Sequence, residues 1–335
     1  MEEFIVSMRA VAREAGVSAS TVSRYLRGEL RLNSETERRV EAALKTTGHV
    51  RHRNKLRSVA LVLPELSNPY FSHLAQVFVE AAQSRSLRTQ IAVSNGSRER
   101  EQEILDWVLA SPDVDSAVYV SMSGDQKVLG GVPAHFPLVL LDESLEVAER
   151  LQASYVGADH YGGAYQATQY LVSAGHSRIA HLAGPQNLRS ARERLSGYSE
   201  ALQDRGIEFD EQLVLSGPYS EAFGAASLPR LMRIKNRPTA VFTASDIAAI
   251  GLISAGQHSG VRIPEDLSLI GFDGIPTGAW TSPRLATVVQ PYSELAHMAL
   301  DQIERQWRGE DTQPFNLPMT VAWGESVMPL QSGVV

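Results

Sequence analysis

No cysteine occurs among the 335 residues. That excludes disulfide frameworks, thiolate zinc sites, iron–sulfur clusters and cysteine nucleophiles. It fits a reducing compartment, so a cytoplasmic location is expected. Long apolar runs are missing too, and none approaches the roughly 20 residues of a membrane span. No membrane partner is expected. The start, Met1-Glu2-Glu3-Phe4-Ile5-Val6, is acidic and soon meets Arg9 and Arg13. It lacks the basic and apolar regions of a secretion signal. No phosphate-cradling, dinucleotide-binding or nucleophile-elbow glycine motif occurs. The nine histidines are scattered. His176 and His181 lack a third ligand, and surface or capping roles fit them better than metal. Catalytic residues, metal and cofactors are therefore all expected to be none.

The charge is unevenly spread. Residues 1–57 hold 12 Lys and Arg against 7 Asp and Glu, a balance of +5. The other 278 residues hold 19 basic and 31 acidic groups, a balance of −12. A basic head on an acidic body suggests nucleic-acid binding by the head and another task for the body. A solvated basic surface is the plainer alternative.

Residues 7–47 read as three short helices. Ser7 suits the N-cap of a helix with Val11, Ala12 and Ala15 on one face. Gly16 supplies a tight turn. Ser18 caps a second helix from Ala19 to about Arg27, with Val22 and Leu26 inward, and Gly28 ends it. Ser34 and Glu37 form a capping box that opens a third helix, which carries Val40, Ala43 and Leu44 and stops at Gly48. Helix, glycine turn, helix is the geometry that places a second helix in the major groove. Ser18, Ala19, Ser20, Thr21 and Ser23 would then start that helix, with Arg24 one turn on. Arg24 is the candidate for a bidentate guanine contact, and the hydroxyls suit phosphates. A purely structural three-helix cap fits composition equally well.

Val11-Ala12-Arg13-Glu14-Ala15-Gly16-Val17-Ser18-Ala19-Ser20-Thr21-Val22-Ser23-Arg24 resembles the head of the LacI/GalR bacterial repressors, and Ser34-Glu35-Thr36-Glu37-Arg38-Arg39-Val40 continues the resemblance. The family implies a helix-turn-helix head (residues 1–49), a hinge, and a periplasmic-binding-protein-like effector body. Here the linker, 50–57, departs from the pattern. It is about seven residues short and lacks the usual hinge-helix signature. Arg51, Arg53, Lys55 and Arg57 make it an electrostatic tether, and Leu56 is the one candidate for a wedge in the minor groove.

The body, 58–331, alternates apolar runs and helical stretches, so parallel sheets covered on both faces are expected. The runs are 59–63, 90–93, 117–120, 138–141, 179–182, 213–215, 240–243, 267–270 and 287–289. Helices are expected over 71–84, 99–109, 162–173 and 293–307. Arg98-Glu99-Arg100-Glu101-Gln102-Glu103 reads as a solvated helix face. Leu63-Pro64-Glu65-Leu66-Ser67-Asn68-Pro69-Tyr70-Phe71, Ala174-Gly175-His176-Ser177-Arg178-Ile179-Ala180 and Ile263-Pro264-Glu265-Asp266-Leu267-Ser268-Leu269-Ile270-Gly271-Phe272-Asp273 extend the resemblance to about 320 residues. The fold class expected is an all-α helix-turn-helix head followed by α/β. Its body would be two doubly wound parallel-sheet lobes, one about 58–159 with 290–318, the other about 160–289 with 319–331. The body closes near residue 331 without added heptads, so a homodimer is expected.

Such sheets bind ligands at the carboxyl ends of their strands. The residues there are Asp142, Ser245, Asp246, Asp273 and Gln290. Ser190, Arg192 and Arg194 open a helix, where a guanidinium can fork onto two hydroxyls. Tyr70, Phe71, Tyr219 and Tyr292 supply aromatic faces. Tyr70 and Phe71 are equally readable as core, and Asp142 or Asp246 as helix caps. The resemblance places Arg194 and Asp273 where family members grip the effector. The reading is a DNA-binding transcriptional regulator, a repressor, on a pseudo-palindromic double-stranded operator, controlled by a sugar or sugar derivative. A nucleoside or purine effector is the alternative within that class. A sugar-binding or sugar-processing protein without a DNA role is the alternative outside it.

The short linker predicts a tether rather than a wedge. Neutralising Arg51, Arg53, Lys55 and Arg57 should weaken binding to all DNA sequences alike. The slope of log affinity against log salt should fall by roughly 0.9 for each phosphate no longer neutralised. Circular-permutation gel shifts should show no sharp central bend. A strong bend abolished by Leu56→Ala would reverse this reading.

Overall fold

The computed structural model describes residues 8–26, 30, 32–46, 55–133, 136–145 and 154–330. Ser7, Gly28, Gly48, Arg51 and Arg53 lie outside them. The chain divides into two units, Met1–Leu56 and Arg57–Val335.

In the first unit, α1 (Met8–Ala15), α2 (Ala19–Leu26) and α3 (Ser34–Thr46) surround a core of Val11, Ala15, Val22, Tyr25, Val40 and Leu44. Gly16 takes φ +65°, the left-handed region that turns the chain between α1 and α2. Arg39 donates from Nε to the Ala15 carbonyl at 3.1 Å and so satisfies the open end of α1. Ser18 caps α2 as expected, its hydroxyl accepting from the Thr21 N–H at 3.0 Å. The cap of α3 differs from the expected Ser34–Glu37 box. Asn33 accepts from the Thr36 N–H at 2.9 Å, and Glu37 accepts instead from the Tyr25 hydroxyl at 2.9 Å. An asparagine just upstream offers an equally good cap oxygen, and the buried tyrosine hydroxyl needs a partner. Leu56, the single wedge candidate, is buried.

The second unit contains two six-stranded sheets. The first has the order β11-β5-β4-β3-β1-β2 and is wholly parallel. Its strands are β1 (Ser58–Leu63), β2 (Arg88–Val93), β3 (Ala117–Tyr119), β4 (Leu138–Leu141), β5 (Ser154–Ala158) and β11 (Phe315–Leu317). The second has the order β12-β10-β9-β8-β6-β7. It contains β6 (Ile179–Ala183), β7 (Val214–Ser216), β8 (Ala240–Thr243), β9 (Ser268–Asp273), β10 (Ala286–Val289) and an antiparallel edge, β12 (Thr320–Ala322). Phe242, Ile270 and Phe272 pack on one face of this sheet, Val241 and Leu269 on the other. Both faces are therefore dry, which is why these strands read as continuous apolar runs.

Helices cover the sheets: α4 (Pro69–Ser84), α5 (Arg98–Ala110), α6 (His160–Ser173), α7 (Arg189–Gln203), α8 (Glu221–Arg233), α9 (Asp246–Ser259) and α10 (Tyr292–Trp307). The four helices expected from periodicity each begin one or two residues earlier. Asn68, Ser97 and Asp159 cap three of them through their side chains. This brings Tyr70, His160 and Tyr292 into first turns, beside strand ends. Helices α6 and α7 pack so closely that a Cβ on Gly197 would lie 2.2 Å from the Tyr161 carbonyl oxygen.

Three expectations are corrected. Glu101 is not on a solvated face. It is fully buried and accepts from the Met122 and Ser123 N–H groups at 3.1 and 3.3 Å, pinning the loop after β3. His176 is not on the surface. It is buried between the Thr239 hydroxyl at 2.9 Å and the Met328 carbonyl at 3.1 Å. His181 is fully buried, stacked between Tyr198 and Phe242. Its Nδ1 is 3.0 Å from the Phe242 carbonyl and must donate.

Burial holds the His181 imidazole down at about 4. The unfolded ring takes a proton near its ordinary value, about 6.5, while the folded ring stays neutral. Stability is therefore intact above that value and falls as pH drops from about 6.5 toward 4, by up to about 3 kcal/mol from this group. Denaturant melts across that range should show the slope. His181→Gln should flatten it.

Candidate functional site

In the head, Ser18, Ser20 and Arg24 are exposed, while Ala19, Thr21 and Ser23 are half-buried. Val22 and Tyr25 turn inward, so α2 offers its polar side outward from a small rigid core. The Ser18 hydroxyl lies 2.8 Å from that of Ser20 and 2.7 Å from that of Thr21. One hydroxyl cluster and one exposed guanidinium therefore share the start of this helix.

The body passes between its sheets three times: after β5 at Asp159, after β10 at Gln290 and Pro291, and between β11 and β12 at Pro318 and Met319. The polar residues expected at strand ends collect at these crossovers. Arg194 is at the centre, 3% exposed. It reaches from α7 to the Ala244 carbonyl, to His160 Nδ1 at 3.3 Å and to Asp273 at 3.6 Å. Its guanidinium carbon lies 4.0 Å from the centre of the Phe272 ring and 5.4 Å from that of Tyr219. Gln290 donates to Asp273 at 3.0 Å, and the Tyr70 hydroxyl reaches Gln290 at 3.4 Å. Across the cleft, Asp142 lies 3.3 Å from His160 Nε2. This contact is close but off the line of a hydrogen bond, since neither atom finds a bonded partner.

Both acidic residues sit on unusual backbone, Asp142 at φ +68° and Asp273 at φ +113°. Conformations of this kind cost about 1–3 kcal/mol and persist where the surroundings impose them. Asp246 is part of what imposes the second. One of its oxygens accepts from the Gly274 and Ile275 N–H groups at 2.8 and 2.9 Å, the other from the Thr287 hydroxyl at 2.6 Å. Asp246 is thus fully buried beneath the cleft and holds the turn that presents Asp273.

Burial raises the Asp246 carboxyl, and the Asp273 charge adds to that. Burial also raises Asp273, against the opposing pull of Arg194 and Gln290. Burial would raise Asp142 as well, but His160 and Arg194 outweigh it and hold that carboxyl low. Burial disfavours the Arg194 charge, yet Tyr219, Asp273 and Asp142 more than restore it.

Tyr70 and Phe71 meet edge to face at 4.9 Å, and Tyr292 lies 5.7 Å from Tyr70. Tyr219 lies over Gly184, where a Cβ would come within 2.2 Å of its hydroxyl. Ser245 is buried at the N-cap of α9, its hydroxyl unbonded. Ser190 bonds to Glu143 through its hydroxyl and, at 3.4 Å, through its N–H. Arg192 stands apart from this group. It is exposed and donates to the Gln186 carbonyl at 2.9 Å. Beside the group a cavity of about 260 Å³ opens between residues 124–126 and 143–145 on one side and 187–192 on the other.

Sequence reasoning missed Glu143, which joins Ser190 across the cleft, and His160. The signal for His160 was the Asp159-His160 pair directly after β5, a strand too poor in large apolar residues to be recognised. Six buried cleft atoms have no hydrogen-bond partner: Asp142 Oδ1, His160 Nε2, Arg194 Nε and the hydroxyls of Tyr219, Ser245 and Tyr292. They include an acceptor, donors and groups that do both, a pattern that fits a ligand rich in hydroxyls.

Comparison with known proteins gives a consistent result. The profile of bacterial regulatory proteins of the lacI family matches residues 7–52, and that of a periplasmic binding protein-like domain matches 168–327. The HTH-type transcriptional regulator CelR of Thermobifida fusca is 33% identical over 93% of this chain and 94% of its own length. The HTH-type transcriptional repressor CytR of Escherichia coli (strain K12) is 28% identical over 98% of both chains. A solved complex of the regulator CelR with cellobiose superposes with a TM-score of 0.71 at 30% identity, covering 96% of this chain and 99% of that one. The lac repressor dimer bound to operator shares the fold, with a TM-score of 0.73 at 22% identity over 96% of this chain and 99% of its own.

Arg194 is the sole cation in direct contact with Asp273 among the described residues. Arg194→Met should therefore destabilise the body by about 3–5 kcal/mol at neutral pH, the cost of stranding a buried charge. The deficit should shrink toward pH 5, because the raised Asp273 carboxyl then takes a proton. Chemical denaturation of both proteins at the two pH values measures it.

Proposed function

The chain belongs to the lacI family of bacterial regulatory proteins, and from that premise we propose a DNA-binding transcriptional repressor whose body binds a sugar or sugar derivative between its lobes. The helix-turn-helix regulator role comes with the family. The carbohydrate reading is carried by the six unpartnered polar atoms around Arg194. Vicinal hydroxyls can serve donors and acceptors at once, and the Tyr70, Phe71 and Tyr292 faces suit the C–H surface of a sugar ring. The cellobiose complex of a relative supports this class of ligand. The role is binding rather than catalysis, on a pseudo-palindromic operator, by a homodimer.

The proposed DNA contacts are those of Ser18, Ala19, Ser20, Thr21, Ser23 and Arg24, with Arg51 and Arg53 as phosphate contacts. The proposed effector contacts are Asp273 and Arg194 first, then Asp142, Gln290, Ser245, Tyr219, Tyr292, Tyr70, Phe71 and Ser190. Asp246 supports them from below, and Arg192 stands at the mouth.

Isothermal titration of the full chain with cellobiose, other sugars and nucleosides tests the effector class. A sugar that binds, with Asp273→Ala abolishing its heat and its effect on operator affinity, carries the reading. Binding by nucleosides alone would replace it. For the head, Arg24→Ala should cost about 1–3 kcal/mol per half-site and relax preference at one base pair. A variant with unchanged affinity and preference would remove Arg24 from the base contacts.

A further inference from the structure

We propose that His160 is a positioning residue of the effector site, its Nδ1 accepting from Arg194 and its ring proton carried on Nε2. This rests on the effector cleft proposed above. His160 is the first residue of α6, directly after the crossover at Asp159, and is 1% exposed. Asp159 fixes its backbone by capping α6, accepting from the Gly162 N–H at 2.9 Å.

The chemistry of its neighbours decides its proton. The Arg194 guanidinium is only a donor. His160 Nδ1, 3.3 Å from it, must therefore present a lone pair. The single proton of the neutral ring then sits on Nε2, 3.3 Å from the Asp142 carboxylate. His160 thus accepts from the second lobe's Arg194 and holds its Nε2 3.3 Å from the first lobe's Asp142, off the line of a hydrogen bond. Arg194 and Asp142 stand among the candidate ligand-gripping groups on opposite sides of the cleft, and the His160 ring lies between them, bonded to Arg194.

The test is calorimetric titration of the full chain with cellobiose at neutral pH. Wild type, His160→Asn and His160→Leu are compared. Asparagine places an amide oxygen near the position of Nδ1 and so keeps an acceptor for Arg194, whereas leucine offers none. His160→Asn should bind within about threefold of wild type, the scale of one modest hydrogen bond. His160→Leu should bind weakly. Asparagine that binds as weakly as leucine, or leucine that binds like wild type, overturns the proposal. Ring nitrogen spectra of histidine-labelled protein, with the His160 signals assigned by their loss in His160→Asn, read the tautomer directly. A proton on Nε2 supports the proposal, and one on Nδ1 overturns it. If no sugar binds, the carbohydrate reading fails, and these spectra still decide the role of His160.

Discussion

A guanidinium that reaches neither water nor a deprotonated state sets the terms for the whole cleft. Arg194 is 3% exposed, and arginine stays charged in proteins. Its charge has to be answered from within the chain. The Ala244 carbonyl after β8, the His160 lone pair of α6, and the Asp273 carboxylate and Phe272 ring of β9 do so. Each answer constrains its own segment. Asp273 adopts φ +113°, Asp246 is buried to hold the following turn, and Gln290 turns its amide to the remaining need of Asp273. A residue drawn from one helix thereby dictates the backbone of several strand ends.

That arrangement follows from the sheet topology. Parallel strands deliver their carboxyl ends to one edge, and the three crossovers lie along it. Tyr70, His160 and Tyr292 arrive in helical first turns, because the chain has only just left a strand or a crossover. The same placement joins ligand chemistry to lobe geometry. Asp142 belongs to the first lobe and Arg194 to the second, so a molecule that satisfies both sets of orphaned atoms has differential affinity for different lobe angles. Only such a difference shifts a conformational equilibrium. The coupling required is modest, typically 1–3 kcal/mol, which is the scale of one or two buried hydrogen bonds.

The sequence showed the scaffold better than its joints. Dry strands such as Val59–Leu63 and Ala240–Thr243 announce themselves as apolar runs, since nothing polar survives on either face. β5 did not, although it is entirely buried, because Ser154, Gly157 and Ala158 are small. The cause is local: a Cβ at Gly157 would come within 1.9 Å of the Tyr155 hydroxyl. Losing β5 meant losing His160, which follows it after one residue. Glu101 was misjudged for a different reason. A run of charges predicts a wet face, and the two N–H groups that justify burying one carboxylate belong to a loop about twenty residues away. The cleft residues at recognised strand ends were legible as a set. Their division of labour was not, because it depends on distances: Asp273 faces the guanidinium, whereas Asp246 lies beneath the turn.

The charge split of the chain bears on how the two units serve one function. Electrostatic attraction to phosphates is indifferent to sequence and supplies most non-specific binding. A regulator with a uniformly basic surface would spend its time on the wrong DNA. Here the +5 balance is confined to residues 1–57, and the remainder carries −12. The acidic body repels the phosphate backbone over distances of about a Debye length, roughly 8 Å at physiological ionic strength. It therefore lowers the affinity of any encounter that does not lead with the head.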